Sequence, residues 1–168
     1  MIIGLSLPAF TLLHVIISLI GIASGLIAIL ALCTGRLLAG WTVLFLATTV
    51  LTSITGFMFP IANFGPPEIV GVISLVALAI AISALYLYKA RGPWRWIYVV
   101  MAVLSLYLNV FVGVVQAFQK VAFLHPLAPT GTEPPFVVAQ GIVMIIFIVY
   151  GILGVRRFHP AGSVRTVR

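Results

Sequence analysis

The chain is short of charged residues and almost devoid of cysteine. Only 7% of its 168 residues are charged, whereas a soluble domain carries roughly 25%. So few charges cannot coat a globule in water, and with 63% hydrophobic residues the composition predicts lipid as the main solvent. The one cysteine, Cys33, excludes an intramolecular disulfide and every CxxC redox or zinc motif.

Long apolar runs fill most of the chain. An α-helix needs about 20 largely apolar residues to cross a bilayer. Five runs reach this length, at about 8–32, 41–59, 69–88, 96–120 and 136–155. They are continuous rather than alternating, so barrel strands are not expected. The sequence therefore predicts an all-α, single membrane domain over residues 1–168, in which five transmembrane helices pack as antiparallel neighbours.

Lysine and arginine are distributed unevenly between the two ends of these helices. One side collects Arg36, three basic residues in the loop 89–95 and four in the tail 156–168, which makes eight. The other side holds Lys120 alone. By the positive-inside rule, the N-terminus is expected outside and the tail in the cytoplasm. These basic clusters lie between apolar runs and match no nucleic-acid-binding motif, so nucleic acid is not an expected partner.

A polar stripe interrupts the apolar surface of the fourth predicted helix. Ser105, Asn109, Gly113, Gln116 and Lys120 recur at steps of three or four, which places them on one helix face. The neighbouring positions are mainly leucine, valine and phenylalanine. This face is therefore expected to meet something other than lipid.

Other helices bring polar side chains to the same outer half of the membrane. Because an unpartnered polar group in lipid costs several kcal/mol, we expect these groups to meet in one outward-facing pocket. An ionisable residue inside a span is by default a functional hypothesis. The alternative is that the threonines bond their own backbone and the amides only join helices. The predicted pocket residues are His14, Ser18, Thr52, Asn109, Gln116 and Gln140.

The loop after the fourth helix is rich in proline, with four in the segment 126–135. Proline restricts the backbone, so a stiff, extended loop is expected. We predict that it roofs the pocket and brings His125 and Glu133 near His14. Glu133 has two further interpretations, since it would also suit the start of the fifth helix or pair with Lys120. Glu68 is expected to cap the third helix, because an acid favours a helix N-terminus.

Several segments carry a resemblance to a known group of proteins. They are 51–57, 59–60, 105–111 and 128–136, together with Gln116, Phe118 and Lys120. In these the chain resembles a group of small polytopic bacterial inner-membrane proteins that has no assigned activity. The resemblance implies a bacterial inner-membrane location and no function. Size and helix count are also similar to the translocator-protein family, which binds porphyrins and sterols, but its tryptophan-rich signature is absent, so no residue role is transferred.

Three classes of function follow from the polar pocket. The first is a binding or accessory protein for a small ligand, lipid or quinone, for a partner's helix, or for a second copy of the chain. The second is a haem or transition-metal protein that uses His14 and His125, with Glu133 as an oxygen ligand. The third is a channel or transporter subunit, which is disfavoured because no charge lies deep in a span. An enzyme has least support, since no catalytic motif is recognisable.

Overall fold

The computed structural model describes residues 2, 4–60 and 65–159. Over these residues the chain folds into five α-helices that are long and apolar enough to cross a membrane, which confirms the all-α class. A π-helical turn, Ser83–Leu87, continues α3, and a 3-10 helix, His125–Leu127, follows α4. The tail residues 160–168 lie outside the described part. The helices are α1 Leu7–Cys33, α2 Ala39–Gly56, α3 Pro66–Ile82, α4 Pro93–Lys120 and α5 Pro134–Arg157.

The helix starts follow from local chemistry. Four of the five helices carry proline in the first turn, where the missing N–H would have no intrahelical partner. Ser6 caps α1 by accepting the Ala9 N–H at 3.4 Å. At α3 the Glu68 carboxylate accepts the Gly65 N–H at 2.7 Å, which confirms the expected capping role of Glu68.

The tight core lies in the half of the bundle where α1 ends and α4 begins. Its largest fully buried side chains include Phe45, Leu78, Tyr98 and Leu106. Helix α1 runs along α2, while α4 contacts all four other helices. Gly25 of α1 is buried where Phe45 and Leu106 approach, so the GxxxG pattern of α1 serves packing within the chain.

The two ends of the bundle differ in charge. We call the end that holds the last turns of α1 and α5 the basic end, since its described cations are Arg36, Lys89, Arg91, Arg95, Arg156 and Arg157. There the Arg95 guanidinium donates to the carbonyls of Val155 and Phe158, at 2.7 and 2.6 Å, and so satisfies the end of α5. The opposite end, where α1 begins and α4 stops at Lys120, is called the cavity end.

Candidate functional site

A cavity of about 940 Å³ opens among α1, α2, α3 and α4 at the cavity end. Its walls mix valine, leucine and isoleucine with polar side chains from all four helices. Five of the six predicted pocket residues line it: His14, Ser18, Thr52, Asn109 and Gln116. The remaining polar lining comes from Thr11, Thr49, Ser53, Glu68, Ser74 and Lys120. The cavity is thus built where the polar stripe of α4 faces α1 and α2.

The floor of the cavity lies where three helices meet at Gly21 of α1. A Cβ atom at this glycine would lie 3.2 Å from the Asn109 amide nitrogen, 3.2 Å from the Thr48 hydroxyl and 3.3 Å from the Thr49 hydroxyl. No larger residue fits there without displacing these polar atoms. Gly21 therefore lets α2 and α4 present their polar groups side by side.

Three polar atoms of the floor lack hydrogen-bond partners among the described residues. They are the hydroxyls of Thr49 and Thr52 and the amide nitrogen of Asn109. Thr49 is only 1% exposed, so its hydroxyl has lost water as well. Buried polar groups are normally paired, and leaving one unpaired costs about 1–3 kcal/mol. The floor can therefore both donate hydrogen bonds to a bound molecule and accept them from it.

His14 stands higher on the wall of the cavity, against α2. Its Nδ1 lies 2.8 Å from the Thr55 hydroxyl, and that hydroxyl donates to the Leu51 carbonyl at 2.7 Å. When the single proton of the Thr55 hydroxyl is directed at Leu51, the hydroxyl accepts from Nδ1–H of the ring. The ring packs edge-on against Phe59, with centroids 5.2 Å apart. Its orientation is thus fixed from two sides.

Several other hydroxyls around the cavity are satisfied within the protein. Ser18 donates to the His14 carbonyl at 2.8 Å. Ser53 lies 3.2 Å from Ser74, which joins α2 to α3, and Thr48 donates to the Leu44 carbonyl at 2.6 Å. These groups bear out the alternative that hydroxyls in membrane helices bond locally. Among the described residues of α1 to α4, the buried unpartnered side-chain atoms are the three of the floor and the Thr42 hydroxyl at the other end of α2.

Gln140 does not line this cavity. Helix α5 packs against α1 and α4, on the side of α4 away from α3. There the Gln140 amide donates to the Phe111 carbonyl at 3.1 Å, and its own oxygen has no partner among the described residues. The prediction that Gln140 lines the pocket is therefore wrong, because the face of α4 on which α5 packs was not encoded in the sequence pattern.

The proline-rich loop does not roof the cavity. Of the described residues that follow α4, only Val121 belongs to the lining, and His125 is exposed on the short 3-10 helix. The Glu133 carboxylate turns back on its own loop, where it accepts the N–H groups of Thr130 and Thr132, each at 3.0 Å. Although desolvation acts to raise its pKa, these bonds lower the pKa of Glu133 from 4.5 to about 2.

Sequence reasoning missed Thr49 and Ser53 as lining residues. Helical spacing in α2 predicts a polar face of Thr48, Thr52 and either Thr55 or Gly56, whereas the cavity is lined at Thr49, Thr52, Ser53 and Gly56. Both sets have helical spacing, and they differ by about one position around the helix. The choice of Gly56 rather than Thr55 as the last member of the face would have moved the prediction toward Thr49 and Ser53.

The donor set offers little to a metal ion. Within residues 2, 4–60 and 65–159, no three His, Cys, Asp or Glu side chains come together. Of such side chains, the described lining contains His14 and Glu68, and His125 lies outside it. Comparison with known protein families, with curated proteins and with solved structures finds no match for this chain. The cavity itself is therefore the feature that bears on function.

Proposed function

We propose that this chain is a multi-pass membrane protein that binds a small, partly apolar molecule in the cavity among α1, α2, α3 and α4. The supporting observation is the set of unpartnered polar atoms at Thr49, Thr52 and Asn109. A fold that keeps three such groups on one floor bears a cost in free energy. A ligand that hydrogen-bonds to them removes this cost, and the apolar walls bury the rest of its surface.

A binding role is favoured over a pore through one chain because the bundle is tightly packed below the floor. A Cβ atom at Gly25 would lie 2.6 Å from Leu106 and 2.7 Å from the ring of Phe45. Helices α1, α2 and α4 therefore touch directly beneath the cavity. A blind pocket of this kind suits a ligand that enters and leaves by the same mouth.

The charge distribution supports an outward-facing mouth. Six described lysine and arginine residues lie at the basic end, whereas Lys120 lies at the cavity end. Under the positive-inside rule the basic end is cytoplasmic, so the cavity opens to the outer face. The resemblance to small bacterial membrane proteins adds the inner membrane as the location. Either a homo-oligomer or a second membrane protein is compatible with this orientation.

Photolabelling with a cavity-blocking variant tests the binding proposal. The probes are dodecyl chains bearing a diazirine, one ending in a hydroxyl and one in a carboxylate. In Ser18→Phe the ring projects into the cavity and obstructs it between His14 and the floor, while the serine hydroxyl that is lost bonds only its own helix. Ala23→Phe is the matched control, because Ala23 is exposed on the same helix.

At least one probe should label the wild type saturably at cavity residues, and Ser18→Phe should abolish that labelling while Ala23→Phe preserves it. Labelling that does not saturate, or that is equal in both variants, would show that the cavity binds no such molecule.

Cysteine accessibility tests the orientation separately. In a Cys33→Ser background, Gln116→Cys at the mouth should react with a membrane-impermeant maleimide added to intact cells. Lys89→Cys at the basic end should react only after the cells are opened. The reverse pattern would place the mouth in the cytoplasm.

A further inference from the structure

The mouth and the floor of the cavity differ in the kind of polar group that they offer. Lys120 lines the mouth and is exposed in the last turn of α4. Among the described residues its ammonium donates no hydrogen bond, and it shares the cavity lining with His14. The floor at Thr49, Thr52 and Asn109 is uncharged. The site is therefore polar at both ends and charged at one.

The other charged side chain that lines the cavity, Glu68, already has a hydrogen-bond partner in its own helix turn. The Glu68 carboxylate accepts the Gly65 N–H in the first turn of α3, where an acid is stabilised by the helix N-terminus. Glu133 is held by Thr130 and Thr132 outside the lining. Neither acid makes an ion pair with Lys120 in the described part of the chain. A bound anion would thus find an ammonium without a competing partner.

The separation of the two ends sets the length of the ligand. Asn109 and Lys120 are eleven residues apart on one straight helix, which at 1.5 Å per residue corresponds to roughly 16 Å. Between them the α4 wall consists of Val112, Gly113, Gln116 and Ala117, so Gln116 is its one polar side chain. A simple alkyl tail would leave the floor unpaired, because Thr49 is 1% exposed and has no partner. The distal end of the ligand must therefore carry a polar group.

The geometry points to an elongated amphiphile with two different ends, a carboxylate or phosphate at Lys120 and an uncharged hydroxyl, carbonyl or amide at the floor. This inference rests on the proposed binding function and adds the ligand class. Such a molecule could be a lipid of the bilayer or a free acid, since both offer the same chemistry. The two sources are distinguished by competition.

The probe is radiolabelled ω-hydroxydodecanoate, whose extended chain has about the required length, bound to protein in phosphatidylcholine nanodiscs. We expect it to bind more tightly than dodecanoate, which lacks the distal hydroxyl, and than the dodecyl diol, which lacks the anion. Lys120→Gln should weaken both acids by roughly tenfold or more, the value of a charge-assisted hydrogen bond, and leave the diol unchanged. Asn109→Leu should remove the preference for the hydroxy acid over dodecanoate.

Lys89→Gln is the control for charge, because Lys89 lies exposed at the basic end. If the diol and the acid bind equally and Lys120→Gln changes neither, the assignment of an anionic end is wrong while the binding function stands. If no probe binds in a way that Ser18→Phe abolishes, the binding function itself fails.

Nanodiscs that contain phosphatidylglycerol identify the source. Competition that depends on Lys120 would support a bilayer lipid, and its absence, with intact acid binding, would support a free amphiphile.

Discussion

Replacing Thr49 by valine is expected to stabilise the protein in the absence of ligand. Valine has nearly the same shape but no hydroxyl. The Thr49 hydroxyl is buried and has no partner among the described residues, so it carries a desolvation cost of about 1–3 kcal/mol. Removing it should raise the free energy of unfolding by about 1 kcal/mol. A stabilising substitution in a binding site is the expected sign of a group kept for function.

The neighbouring Thr48 provides a matched control. It lies on the same helix and is similarly buried, but its hydroxyl donates to the Leu44 carbonyl at 2.6 Å. Thr48→Val therefore loses a hydrogen bond and should lower the free energy of unfolding by about 0.5–1.5 kcal/mol. The two adjacent substitutions are chemically identical and are predicted to have opposite signs.

The assay is reversible unfolding in mixed micelles at increasing mole fraction of dodecyl sulfate, followed by circular dichroism. The prediction concerns the sign of the difference between the two variants, which cancels most effects of the micelle. If Thr49→Val loses stability as Thr48→Val does, the Thr49 hydroxyl is hydrogen-bonded within the protein. The reasoning that assigns the floor to a ligand would then be refuted.

Three further predictions concern other parts of the fold. Gly25→Ala should lower the free energy of unfolding by about 1–3 kcal/mol, measured in the same micelles. The reason is that the Cβ atom of the alanine would lie 2.7 Å from the Phe45 ring. Unchanged stability would mean that α1 and α2 can move apart to accommodate the methyl group. Arg95→Met should speed amide exchange in the last turn of α5, where two carbonyls lose their donor, while Arg91→Met, an exposed cation nearby, should not. The pKa of Glu133 is lowered on folding to about 2. The stabilisation that this carboxylate gives its loop should therefore be complete above pH 4.5 and lost as the pH falls through about 2. Amide chemical shifts of the loop measure this titration, and a midpoint near 4.5 would contradict the prediction.

Periodicity and hydropathy were sufficient to predict the five helices, but not to predict which helices pack against one another. The five apolar runs predicted each helix to within about three residues at most ends, because a membrane span must satisfy its backbone internally and so requires a continuous run. The larger departure is at α3, which gives way to a π-helical turn at Ser83. The choice of neighbours depends on side-chain fit, which has no such period, and this is why Gln140 was placed in the wrong interface.

The polar pocket was predictable in position and only partly in composition. The free-energy cost of exposing polar groups to lipid was enough to predict that those of α1, α2 and α4 meet. His14, Ser18 and Asn109 do line one cavity. The position of the loop 122–133 was predicted wrongly, because a stiff backbone does not determine the direction in which the loop runs. Its acid, Glu133, bonds to the two nearest threonines rather than to a distant lysine, since a short turn closes at lower entropic cost than a long one.

The depth of the cavity follows from where α1 changes from small to large side chains. Toward the basic end, its buried face reads Gly21, Ser24, Gly25 and Ala28, and small residues let helices approach closely in lipid. Toward the cavity end the same helix presents larger groups, including His14, and these line the cavity together with residues of α4. Gly21 is the glycine of α1 nearest the cavity, and there both α2 and α4 lie close to the α1 backbone. The glycine pattern therefore acts within one chain, closing the lower bundle and fixing the level of the polar floor.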